Sequence, residues 1–147
     1  MFRIETHADE PRRHLLHQRL RETNSRLSPV MRDLRGTAAD SEVPVQVYAL
    51  DDETLIGGLV GNAWAHWLHI ELLWVDKRLR SSGVGTRLME TAERQARDEL
   101  GCSASRVETF DFQAPGFYTK LGYTLVGKVE DYPPGCTDHI FVKRLSP

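Results

Sequence analysis

The stretch that decides the fold is Ile70-Glu71-Leu72-Leu73-Trp74-Val75, followed shortly by Arg80-Ser81-Ser82-Gly83-Val84-Gly85. The first segment is apolar but for one acid, as in a strand buried among others. Beyond the second, Val84, Leu88, Ala92, Ala96 and Leu100 recur at helical spacing with Met89 beside them, so one face of a helix over about 83–100 is apolar. Gly101 stands where that helix should end. A strand that enters a glycine-bearing turn and then a helix exposes free backbone N–H groups at the positive end of a dipole. That arrangement suits a phosphate.

Working outward, Phe2–Glu5 reads as a short first strand, and Asp9 as the N-cap of a helix running to about Asn24 with Leu16 and Leu20 inward. Residues 27–42 read as irregular, with one short helix over Pro29–Leu34. Val43, Val45, Val47 and Ala49 alternate with other residues, the pattern of a half-buried strand. Two more strands follow over Leu55–Ala63 and Leu68–Val75. Gly57, Gly58 and Gly61 permit bends or close backbone approach in the first of these. After the long helix come a strand at Arg106–Phe110, a helix at about Ala114–Leu121, and strands at Tyr123–Val129 and His139–Leu145. Pro133-Pro134-Gly135 separates the last two, which suggests an antiparallel pair. This order predicts a mixed α/β domain with a mostly antiparallel central sheet and flanking helices, not a doubly wound parallel sheet.

The bulk composition excludes several classes. A chain of 147 residues predicts one domain spanning 1–147. A net charge of -2 gives no electrostatic case for nucleic acid or an anionic membrane as partner. No apolar run approaches the roughly 20 residues of a membrane span, and Met1 is followed by charged sequence, so the expected location is the cytoplasm. The 2 cysteines, Cys102 and Cys136, predict reduced thiols, and the 6 histidines show no metal-ligand spacing. No metal site is expected.

A second block, Ala114-Pro-Gly-Phe117-Tyr118-Thr-Lys-Leu121-Gly122-Tyr123, lies about 30 residues after the glycine-bearing turn. Together the two blocks resemble the GCN5-related N-acetyltransferase family. Arg80-Ser-Ser-Gly83-Val-Gly85 is similar to its Gln/Arg-x-x-Gly-x-Gly/Ala pyrophosphate motif, and Phe117-Tyr118 with Leu121-Gly122-Tyr123 is similar to its C-terminal signature. The resemblance covers about residues 43–145, with the first helix fitting more loosely. Family members often carry glycine where Ser81 stands.

The resemblance implies acetyl-CoA as co-substrate. Its pyrophosphate would lie on backbone N–H groups of residues 81–86, where Gly83 and Gly85 have no Cβ to hold it away, with Thr86, Ser81 or Ser82 adding a hydroxyl. Val84 lies within this turn, and Arg80 would either pair with phosphate or be solvated. Splaying of the preceding strand would free backbone groups of Leu73, Trp74 and Val75 for the pantetheine arm and for the thioester oxygen. Tyr118 occupies the place of the family's general acid, with a core tyrosine as the alternative. Asp111 stands where relatives carry a pantetheine-binding asparagine, and Gln113 could supply that amide instead.

An attacking amine must lose a proton, because an alkylammonium titrates near pH 10. Glu71 is the first candidate base, an acid among Ile70, Leu72 and Leu73 whose desolvation would raise its pKa. His69 is the second and lies on the same side in a regular strand; a water chain is a third route. Trp64, His66 and Trp67 would wall an acceptor pocket or fill core. Glu130, Asp131 and Tyr132 would attract a cationic amine or simply end a hairpin. The expected function is therefore acetyl transfer to a primary amine of a small molecule, by direct attack in a ternary complex. A protein or peptide N-acetyltransferase and a non-catalytic acyl-CoA-binding regulatory module are the alternatives. A homodimer is compatible with all three, and a P-loop nucleotide protein is disfavoured by the missing Gly-Lys-Ser/Thr.

Overall fold

The computed structural model describes residues 1–146. The chain forms two compact units, one spanning Met1–Thr37 and the second beginning at Ala38.

The first unit holds α1 (Glu10–Leu27) and α2 (Pro29–Leu34). Asp9 caps α1 by accepting from the Arg12 backbone N–H, and Ser28 caps α2 in the same way from Met31. Two expectations fail here. Residues 2–5 form no strand, since this unit contains no second strand to pair their backbone; Glu5 instead accepts hydrogen bonds from Arg3 and Arg12. Nor are Leu16 and Leu20 inward, for no residue of α1 is buried. Apolar side chains are too sparse along α1 to make a continuous stripe, and its other positions are mostly charged or polar.

The second unit is a six-stranded sheet in the order β1-β2-β3-β4-β6-β5. Its strands are β1 (Val43–Asp51), β2 (Thr54–Trp64), β3 (Trp67–Val75), β4 (Ala104–Phe110), β5 (Thr124–Glu130) and β6 (Thr137–Arg144). Helix α3 (Val84–Leu100) joins β3 to β4, and α4 (Pro115–Lys120) joins β4 to β5. All neighbours are antiparallel except β3 and β4, so the mixed α/β expectation holds. The parallel pair needs a crossover, and α3 supplies it.

One sheet face makes the core. Val45, Leu59, Leu68, Ile70, Val107 and Phe141 are buried there with Leu88, Met89, Ala92 and Ala96 of α3. The apolar stripe read from the sequence is thus the packed face of α3. A polar network crosses this core: Tyr123 donates to Glu93 Oε2 or Ser105 Oγ, both at 2.9 Å, and Lys143 Nζ donates to Glu93 Oε1 at 2.7 Å. It ties α3 to β4 and β6 from within. Among the described residues no helix is long and apolar enough to cross a membrane.

Candidate active site

Strand β3 leads into the first part of the site. Past Val75, Asp76 Oδ1 accepts from the Arg78 backbone N–H at 2.9 Å and caps a single 3-10 turn, Lys77–Leu79. Ser81 and Gly83 then take positive φ, 68° and 89°. Gly83 is the N-cap of α3 and provides no side-chain hydrogen bond, so the first N–H groups of the helix are uncapped. A Cβ on Gly83 would meet nothing within 4 Å. The turn is open, positively polarised and fit for a diphosphate.

Gly85 also lies against packed side chains. A Cβ there would come within 3.3 Å of Phe117 Cζ and 3.6 Å of Val75 Cγ2. Its bareness lets α4 close against the start of α3. Arg80 is exposed and its Nε donates to the Val75 carbonyl at 3.4 Å, while Ser82 Oγ donates to the Leu79 carbonyl. Thr86 is half-buried in the first turn of α3.

The strand before this turn does splay. Strands β3 and β4 pair only from Trp67/Ala104 to Ile70/Val107. Beyond that point Leu72–Val75 pair with β2 alone, and Glu108–Phe110 pair with β6 alone. Residues Leu73, Trp74 and Val75 therefore edge a gap whose backbone groups have no ladder partner on the β4 side. Gly61 opposes Ile70 while Val60 opposes Leu72, so Glu71 stands in a bulge at the head of that gap.

The two faces of the sheet carry the candidate side chains. On the core face, Tyr118 is 6% exposed and packs edge-on to Phe117 and Tyr123, at ring distances of 5.2 and 5.9 Å. Burial pushes its phenol up to about 12. Its hydroxyl makes no hydrogen bond to any described residue and is not sealed from solvent. On the other face, the register aligns Asn62, His69 and Arg106 across three strands, with Glu108 two residues beyond Arg106. His69 Nε2 bonds Glu108 Oε2 at 2.8 Å, and Arg106 Nη2 donates to Glu108 Oε1 at 2.6 Å. Burial would raise the Glu108 pKa, but the bonds from His69 and Arg106 outweigh it and hold the carboxyl below its usual range.

Glu71 reaches the same face, where its Oε1 accepts from Asn62 Nδ2. The desolvation expected from its apolar neighbours is missing, because alternation from the buried Leu68 and Ile70 puts Glu71 on the same face as His69, where it is exposed. Asp111 is exposed in the turn after β4. Gln113 Oε1 accepts from Thr109 Oγ1 and the Phe110 N–H, both at 3.2 Å, so Gln113 shapes that turn. Trp64, His66 and Trp67 lie at the far end of the β2–β3 hairpin from the glycine turn, and His66 Nδ1 bonds the Gly101 carbonyl at 3.1 Å.

Two acids escaped the sequence reading. Glu108 alternates with Arg106 in β4, but only the parallel register with β3 brings it to His69. Asp138, 9% exposed on β6, has no hydrogen-bond or ion-pair partner among the described residues. Burial raises its pKa, and the charge of Glu108 adds to that. Its position opposite Phe110 was not legible before the pairing of β4 with β6.

An uncapped helix start, a splayed parallel pair and a buried tyrosine on the helix packed against that start agree with what the resemblance implies of a CoA-dependent transferase. The family model of the GNAT acetyltransferases matches residues 6–123, and the chain belongs to that family. It is 49% identical to a blasticidin-S acetyltransferase of Streptomyces morookaense, over 86% of this chain and 96% of that protein. Among solved structures it is similar to an acetyltransferase of Bacillus cereus ATCC 14579, with TM-score 0.81 and 30% identity over 97% of each chain. A streptothricin acetyltransferase assigned in Bacillus anthracis str. Ames, holding acetyl coenzyme A, matches with TM-score 0.61 and 26% identity over 69% of this chain and 62% of that one. The protein is an N-acetyltransferase, and acetyl-CoA is its co-substrate.

Proposed function

We propose that this enzyme acetylates a primary amine on a small cationic molecule, by direct attack of the amine on the thioester in a ternary complex. The observation that carries this reading is the gap between β3 and β4, with His69, Glu71 and Glu108 at its head. A thioester laid in that gap presents one face of its carbonyl to an incoming amine. Glu71, Glu108 and Asp138 give the approach a negative character that favours a cation. The name of the 49% identical relative supports a small antibiotic-like amine of the blasticidin-S kind as acceptor.

In this mechanism the pyrophosphate is held by the N–H groups of residues 81–86, and the pantetheine pairs along Leu73–Val75. A backbone N–H at the Glu71 bulge polarises the thioester oxygen. His69 or Glu71 takes the amine proton, and Tyr118 returns one to the departing thiolate. An acyl-enzyme has no support. Cys102 is 2% exposed with its thiol pushed up by burial, and Cys136 stands in the loop between β5 and β6.

Thiol release from acetyl-CoA tests the reading, with a panel of blasticidin S, polyamines, aminoglycosides, amino acids and amino-terminal peptides. Turnover on a small cationic amine is the expected result. Turnover on peptides alone would move the acceptor to proteins, and tight CoA binding without turnover on any amine would favour a regulatory module.

A further inference from the structure

His69 and Glu108 straddle the point where β3 and β4 part. His69 precedes the last paired residue of β3, and Glu108 follows the last paired residue of β4. Their side chains meet across the head of the gap at 2.8 Å. Arg106 occupies the other oxygen of Glu108 at 2.6 Å, so the carboxylate is pinned from both sides. An ionised carboxylate only accepts hydrogen bonds, so the imidazole nitrogen facing it must carry the proton. The remaining nitrogen, Nδ1, bonds no described residue, and the side chain is 37% exposed. Glu71, by contrast, is exposed and engaged by Asn62.

We infer that Glu108 is a positioning residue: it fixes His69 as the Nε2–H tautomer and leaves Nδ1 as the atom that receives the acceptor's proton. The inference rests on the proposed amine acetylation and chooses between its two bases. The acceptor ammonium first gives one proton to solvent; as the nitrogen–carbon bond then forms, the attacking nitrogen becomes strongly acidic and passes a second proton to Nδ1. The imidazolium then holds one N–H on Glu108, whose charge stabilises it. The carbon–sulfur bond breaks with its electron pair on sulfur. That thiolate takes the Tyr118 proton, which the phenolate recovers from solvent, and His69 returns its own proton to solvent.

The test combines nitrogen NMR of histidine-labelled protein with kinetics of the Glu108→Ala and Glu108→Gln variants. Neutral His69 in the unaltered enzyme should be the Nε2–H tautomer, and Glu108→Ala should return it to a mixture. Both variants should lose about tenfold or more in kcat with KM for acetyl-CoA unchanged. In a His69→Ala background, neither substitution should cost anything further. Glu108→Gln nearly preserves the shape and serves if the alanine variant fails to fold. A Nδ1–H tautomer in the unaltered enzyme, a full kcat in Glu108→Gln, or additive losses would each overturn the inference while leaving amine acetylation standing. An unaltered enzyme that acetylates no amine would remove the functional reading and, with it, this one.

Discussion

The missing β-carbon of Gly85 would stand 3.3 Å from Phe117 Cζ, so the first turn of α3 and the first turn of α4 meet in a contact tighter than a Cβ ordinarily makes. Two sequence blocks far apart in the chain are one object in space. The turn suited to the pyrophosphate and the helix that carries Tyr118 hold each other in place.

Gly83 and Gly85 should therefore respond differently to substitution. Gly83→Ala meets open space and costs only its positive φ, about 1 kcal/mol of stability. Gly83→Asp adds negative charge where the proposal places the phosphate and should weaken CoA binding about tenfold beyond the alanine variant. Gly85→Ala should lower both the melting temperature and CoA affinity by pressing on Phe117. Calorimetric CoA titrations of the three variants decide this; equal affinities for Gly83→Ala and Gly83→Asp would take the pyrophosphate off this turn.

Tyr118→Phe keeps the ring packing and removes only the hydroxyl that would supply the proton. Turnover should fall about a hundredfold or more, with CoA affinity and thermal midpoint almost unchanged. Unchanged turnover would leave Tyr118 as a packing residue.

The same residue has a signature in alkaline stability. Burial pushes its phenol up to about 12 in the fold, above the ordinary tyrosine value near 10. A raised pKa keeps the phenol neutral in the fold while the unfolded chain ionises first. Its stability contribution is complete below pH 10 and is lost as pH rises toward about 12, on the order of 1 kcal/mol per pH unit. Tyr123, raised by burial and by Glu93, slopes the same way. Urea melts at several alkaline pH values should thus show a shallower decline in Tyr118→Phe than in the parent. Parallel curves would contradict it.

Close backbone approach at the β2–β3 bulge predicts a further contrast. A Cβ on Gly61 would lie 2.4 Å from the His69 carbonyl oxygen, which is backbone and cannot step aside. Gly61→Ala should cost about 3 kcal/mol or more and disturb the strand that carries His69 and Glu71. Gly127→Ala, whose Cβ would meet only Ile140 Cδ1 at 3.7 Å, should stay within about 0.5 kcal/mol of the parent. Thermal melts of the pair check the difference.

The buried network offers the last test. Lys143→Met leaves the Glu93 carboxylate, 6% exposed, without its cation and should destabilise by about 3 kcal/mol. Adding Glu93→Gln should recover part of that loss, because the stranded charge is gone. Denaturant titration of the single and double variants measures the recovery, and simple additivity would mean the pair is not coupled.

Local pattern alone determined the α3 stripe, the alternation of β1, the glycine turn and the Phe117-Tyr118 helix. Each is written in neighbouring residues whose spacing dictates the element. The class of protein followed from those motifs, as did the donor. What the chain order could not contain was the partnership of residues on different strands. Glu108 belongs with His69 only because β3 and β4 run parallel and part after Ile70 and Val107. Asp138 faces Phe110 only because β6 inserts between β4 and β5. Glu71 looked desolvated among apolar neighbours, yet it shares the face of His69 and is exposed there. Phe2–Glu5 looked like a strand, yet a strand exists only if another backbone takes up its hydrogen bonds. Composition and periodicity decide what a segment can become, and pairing across the sheet decides which side chains act together.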